Sequence, residues 1–126
     1  MADTLRFIVP MRPVAKERPR VGKQGQVYTP RKTREFEAAV GWYALQARRK
    51  AGWEMLTGPV QLDVTFVGPP ARADLSNLVK SLEDAMNGVL WSDDSLIIAE
   101  SVRLEREGKP RIEVEVTPVE GAGAEG

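Results

Sequence analysis

The chain has 126 residues, 42% of them apolar and 29% charged, with no cysteine and no histidine. That length closes the core of one domain without help from disulfides. The missing residue types exclude thiolate catalysis, zinc–thiolate sites, Ser-His-Asp or Cys-His catalysts and imidazole-ligated metals.

Chemistry near neutral pH is therefore left to carboxylates, lysine, arginine, hydroxyls or a bound cation. No apolar run reaches the length of a membrane span, and MADTLRFIVP carries no signal-peptide pattern. A cytoplasmic protein with no membrane partner is expected.

Leu5, Phe7 and Val9 alternate with Arg6 and Ile8, which predicts a short first strand ended by Pro10. From Arg12 to Arg34 the basic residues are Arg12, Lys16, Arg18, Arg20, Lys23, Arg31, Lys32 and Arg34, against Glu17 alone. Formal net charge is zero, so the rest of the chain is acidic by the same amount. Such segregation marks either an anionic partner or a solvated loop. Within it, Gln26-Val27-Tyr28 reads as a brief strand.

In TPRKTREFEAAVGWYALQARRKAG, Pro30 suits the first helical position behind a Thr29 cap. Phe36, Val40, Tyr43 and Ala47 then share one face of a long helix that Gly52 ends. Val60, Leu62, Val64 and Phe66 alternate with polar residues as a half-buried strand, which stops at GPPARA. A second helix is predicted over about Leu75 to Asn87, closed by Gly88. A strand over about Leu96 to Glu105 follows, then a Gly108-Lys109-Pro110 turn and a strand with Ile112, Val114 and Val116 inward. The tail EGAGAEG has nothing with which to pack a core and is expected to be disordered.

The expected fold is α+β: one domain over residues 1–119 with a disordered tail at 120–126. Two main helices pack on a mixed sheet, in the order β-β-α-β-α-β-β.

On a helical wheel, Leu75, Leu78, Val79, Leu82, Ala85, Met86 and Val89 form the core side of the second helix. Asn77, Lys80, Asp84 and Asn87 gather opposite. Asp74 stands at the helix entrance, after a strand, where ligand sites often form, and Asp93-Asp94 lie in the turn beyond the far end. Asp74 and Asp94 can meet only if that turn doubles back. Each feature also has a purely structural explanation: Asp74 as a helix cap, Asp93-Asp94 as a surface turn, Lys80–Asp84 as a solvated ion pair. Together they suit magnesium held by hard oxygens, with a lysine beside it and a basic loop for phosphates.

DLSNLVKSLEDAMNGVLWSDDS resembles the signature of the RusA family of Holliday junction resolvases, roughly D-x-D-N-x-x-K-x-x-x-D-A-L-N-G followed by a D-D turn. PVAKERPRVGKQGQVYTPRKTREFE is similar to the phage and prophage branch of that family, with its K-x-R-P-R run and Y-T-P before a long helix. The likeness runs from about Phe7 to Val116. It implies a bacterial or phage-encoded homodimer that binds four-way DNA junctions and nicks two opposing strands symmetrically, with Mg2+ (Mn2+ as a substitute).

By that resemblance Asp74, Lys80 and Asp94 are catalytic, and Asp74, Asp94 and Asp93 hold the metal. Ser76, Asn77 and Asp84 are expected beside the ligands. Lys16, Arg18, Arg20, Lys23, Arg31 and Lys32 are expected to contact DNA. One departure stands out: the family pattern has a second aspartate where this chain has Ser76, a neutral and weaker ligand. A junction-binding protein with a weakened active site is therefore the alternative.

Overall fold

A computed structural model describes residues 4–15 and 20–119, with Arg20 described by its main chain alone. The expected tail at 120–126 and the expected DNA contacts Lys16 and Arg18 lie outside the described residues.

The elements are β1 (Leu5–Val9), β2 (Arg20–Val21), β3 (Val27–Tyr28), α1 (Arg31–Lys50), β4 (Val60–Val67), α2 (Leu75–Met86), a 3-10 turn at Asp94–Leu96, β5 (Ile97–Glu105) and β6 (Arg111–Pro118). The α+β architecture and the two helices match the sequence reading. The addition is β2, which pairs antiparallel with β3 as a separate two-stranded ribbon.

The main sheet has the order β1-β6-β4-β5. β6 is antiparallel to β1 and β4, while β4 and β5 are parallel. Leu5, Val9, Leu62, Val64, Phe66, Ile112, Val114 and Val116 are buried on one face, as their alternation predicts. Both helices cover this face, and Phe36, Leu78, Leu82 and Trp91 complete the core. The other face carries Arg6, Asp63, Thr65, Ser101, Arg103, Glu113 and Glu115, including a cross-strand Arg6–Glu115 pair at 2.6 Å.

Because β1, β4 and β5 run in one direction, α1 and α2 must both return against them and so run in the same sense. Gly41 facing the Ala85 carbonyl and Arg48 Nη1 donating to the Val89 carbonyl at 2.8 Å agree with that. The amino ends of both helices thus sit at one edge of the molecule, beyond the carboxyl ends of β1 and β4.

Three local expectations shift. Pro30, with ψ of 145°, is the residue before α1 rather than its first helical residue. Its carbonyl already accepts from Arg34 N at 3.1 Å, so Thr29 makes no cap. On α2, Leu75 is exposed and Ser81 is buried, with no hydrogen-bond partner for its hydroxyl among the described residues. The buried side therefore runs Leu78-Ser81-Leu82-Ala85-Met86, and Leu75, in the first turn, is left exposed.

Candidate active site

α2 begins at Asp74, whose Oδ1 accepts from Ser76 N at 2.8 Å and Asn77 N at 3.4 Å. The carboxylate thus satisfies two of the four amide groups that a helix start leaves unpaired. Six positions on, Lys80 Nζ lies 3.3 Å from Asp84 Oδ1. With Lys80 largely exposed, this pair contributes only tenths of a kcal/mol.

Between α2 and the edge strand β5 is a cleft of about 340 Å3, lined by Leu75, Ser76, Val79, Lys80, Glu83 and Glu100. Ser76, Lys80 and Glu83 are spaced four and three residues apart, so they share one stripe of the helix. This stripe differs from the polar side expected from the wheel: Glu83 belongs to it, and Asn87 lines none of the cleft.

Glu100 arrives through an irregularity in β5. Val60 pairs with Ile97 but Gln61 pairs with Ala99, so Ile98 is an extra residue. Strict alternation from Ile97 would turn Glu100 to the open face of the sheet. The bulge advances the phase by one and turns Glu100, opposite the buried Leu62, toward the helices.

There Glu100 shares a hydrogen bond with the half-buried Glu83. Burial raises the Glu83 pKa to about 8, helped by the Glu100 hydrogen bond and by repulsion from Glu100 and Asp94, with Lys80 opposing. Glu83 therefore keeps its proton at neutral pH.

Asp94 approaches this pair from the 3-10 turn. Its Oδ1 accepts from the indole Nε1 of the fully buried Trp91 at 2.7 Å. Trp91 is itself fixed by bridges to Leu56 and Asn87 and by Gly88 N donating to its carbonyl at 2.8 Å. Gly88 has φ of 79°, the left-handed conformation that lets the chain reverse there. Asp93 points the other way: it caps the 3-10 turn through Ser95 N at 2.9 Å. Hydrogen bonds from Ser95 hold its carboxyl below the ordinary range.

The turn after α2 therefore does double back, bringing Asp94 to Glu83 rather than to Asp74. From Asp74 to Glu83 is nine positions, roughly 13 Å of helix rise. Among the described residues no three carboxylates are grouped closely enough to hold a metal ion. Of the residues singled out from sequence, Ser76 and Lys80 line the cleft and Asp94 adjoins it, whereas Asp74 and Asp93 are exposed and accept from main-chain amides, and Asn77 is exposed with its main-chain N–H donating to Asp74. Glu83 and Glu100 were missed. Glu83 could have been found from its spacing to Ser76 and Lys80, but nothing in the sequence marks the bulge that turns Glu100 inward.

Of the expected DNA contacts, the described ones (Arg20, Lys23, Arg31 and Lys32) lie toward the edge holding the amino ends of both helices, whereas Arg48, Arg49 and Lys50 form the last turn of α1 at the other end. Lys23 sits in the turn of the β2–β3 ribbon, and Lys32 is exposed on the first turn of α1. Arg31 Nε makes a solvent-exposed bond to Glu35 Oε1 at 2.7 Å, weak enough for a phosphate to displace. Arg20 lies in β2.

Comparison with known proteins matches residues 10–117 to the family "Endodeoxyribonuclease RusA". The chain belongs to the RusA family. It is also 29% identical to YqaN of Bacillus subtilis (strain 168), described as an uncharacterized protein, over 93% of this chain and 98% of that one. The matched region contains every element from β2 to β5, and with them both walls of the cleft. RusA membership makes the chain one of a family of endodeoxyribonucleases, and no helix among the described residues is long and apolar enough to cross a membrane.

Proposed function

We propose that this RusA-family protein is a structure-selective endodeoxyribonuclease. It resolves four-way DNA junctions as a homodimer, cutting two opposing strands by magnesium-dependent phosphodiester hydrolysis. The observation that carries the reading is the α2–β5 cleft, where Lys80 faces Glu83 and Glu100 with Asp94 alongside, inside the segment matched to the family. A two-fold dimer fits a two-fold junction, one site for each cut strand.

The donor set fits a hard divalent cation, since every candidate ligand is a carboxylate or hydroxyl oxygen. Glu83, held protonated by burial and by the neighbouring Glu100 and Asp94, marks a spot of negative potential that a cation relieves. Asp94, Glu83 and Glu100 would have to draw closer together to hold Mg2+ (or Mn2+), since as they stand they are not grouped closely enough to ligate one, with Asp74 and Ser76 on the side of the α2 amino end. When bound, the ion supplies charge for the phosphate and lowers the pKa of an attacking water.

The chain's own residues supply the rest. Lys80 offsets negative charge growing on the phosphate oxygens. Trp91 orients the Asp94 carboxylate through its indole N–H. Lys23, Arg31 and Lys32 take flanking phosphates and set the position of the strand.

A labelled four-way junction and a linear duplex, each incubated with and without Mg2+, test the reading. Paired nicks in the junction alone, lost in Asp94→Asn and slowed at least tenfold in Lys80→Ala with affinity kept, are the expected result. An Asp94→Asn protein that cuts as fast as wild type would show the site to be elsewhere. The second reading, a junction-binding protein with weakened catalysis, draws on Ser76 in the cleft and on Asp74 being engaged with its own helix. It requires salt-dependent junction binding with no nicking under any divalent metal, and Ser76→Asp should then restore cutting.

A further inference from the structure

The β2–β3 ribbon has no part in the cleft and none in the core. Val21 and Val27 are both 69% exposed and Tyr28 is 45% exposed. None of the three belongs to the hydrophobic core or to its margin.

The ribbon's geometry is nonetheless well specified. Gly22 N donates to the Gln26 carbonyl at 2.7 Å and Gly25 N to the Gly22 carbonyl at 3.0 Å. Gly25, at φ of 83°, takes the turn that a Cβ would disfavour. Val21 pairs with Val27 and Arg20 with Tyr28. One side of the ribbon is thus a pair of valines, and the other carries Tyr28. A two-stranded ribbon with no apolar backing is marginal in water by itself, so this one needs a surface to lie against.

Charge selects that surface. Residues 20–34 contain Arg20, Lys23, Arg31, Lys32 and Arg34 and no acidic residue. A self-matching contact between two copies through this segment would set like charges together, whereas DNA offers phosphates. The ribbon also joins β1 to α1, at the edge of the molecule where α2 and its cleft begin. A two-stranded ribbon fits the major groove, apolar side chains can wedge between base steps, and an aromatic ring stacks on an unpaired base.

Resting on the nuclease reading above, we infer that the ribbon is the element that recognises the branch. Lys23, Arg31 and Lys32 grip phosphates, while Val21 and Val27 cover the base-pair face that opens where strands exchange and Tyr28, on the ribbon's other side, stacks on a base left unpaired there. A linear duplex has no such open face, so this contact gives selectivity for branched DNA.

The test compares wild type with Tyr28→Ala and with the double variant Val21→Ser/Val27→Ser. Three quantities are measured: affinity for a four-way junction and for a linear duplex at one salt concentration, fluorescence of 2-aminopurine at the exchange point, and mass in solution. Wild type should brighten the 2-aminopurine and prefer the junction. Each variant should lose the brightening and about tenfold of the preference, with duplex affinity and melting temperature unchanged because the ribbon packs on nothing in the core. Variants that keep both signals overturn the inference while leaving the nuclease reading intact. So do variants that turn a dimer into single chains with junction preference unaltered, which would make the ribbon a protein contact. A wild type that cuts and binds junction and duplex alike overturns the junction reading itself, before any variant is considered.

Discussion

Glu83 is the residue whose ionisation most alters the site. Its pKa is about 8 in the folded chain against an ordinary 4.5. The groups facing it are Glu100 from β5, Asp94 from the 3-10 turn and Lys80 from its own helix. Between pH 4.5 and 8 the folded state keeps a proton that the unfolded chain has lost, so unfolding releases it and stability falls as pH rises. In metal-free protein the urea midpoint should therefore decline from pH 5 to 8, and Glu83→Gln, which cannot titrate, should flatten that decline. An equal slope in the variant would mean that Glu83 is not where the proton resides. At this scale the sequence was a partial guide. Lys80 and Asp94 were legible because each sits in a short, rigidly spaced motif. Glu83 was hidden among ordinary helix-surface charges, and only the fold shows that its neighbour is another carboxyl.

At the scale of elements, the alternating strands and the apolar stripe of α2 were readable because burial enforces a period of two or of about 3.6. The β2–β3 ribbon was only half visible, since two-residue strands without a buried face leave no periodic trace. The 3-10 turn was legible as a turn but not in its aim. That aim depends on Trp91, a large buried ring whose one polar atom needs a partner and finds it in Asp94. Trp91→Phe should keep most of the packing but leave the Asp94 carboxylate without its donor. The expected outcome is cooperative unfolding with a loss of about 1–3 kcal/mol and a nicking rate down tenfold or more at unchanged junction affinity. A rate equal to wild type would mean that the indole does not orient Asp94.

At the scale of the whole molecule, zero net charge conceals local concentrations of charge. The basic ribbon and first turn of α1 lie at one edge, so junction affinity should fall steeply with salt, each phosphate contact contributing a log–log slope of about 0.9. Lys23→Ala and Lys32→Ala should each reduce that slope by about one and weaken junction and duplex binding alike. An unchanged slope in both variants would remove these lysines from the interface.

The shared direction of α1 and α2 has one more effect. Antiparallel helices cancel each other's peptide dipoles; this parallel pair adds them, with the positive ends at the edge that already carries the basic residues. The helix dipoles and the lysines and arginines of that edge therefore reinforce one another there, while the far end of α1 carries a second basic group, Arg48, Arg49 and Lys50. A phosphate arriving at that edge would meet the unpaired amides of two helix starts as well as the side chains around them.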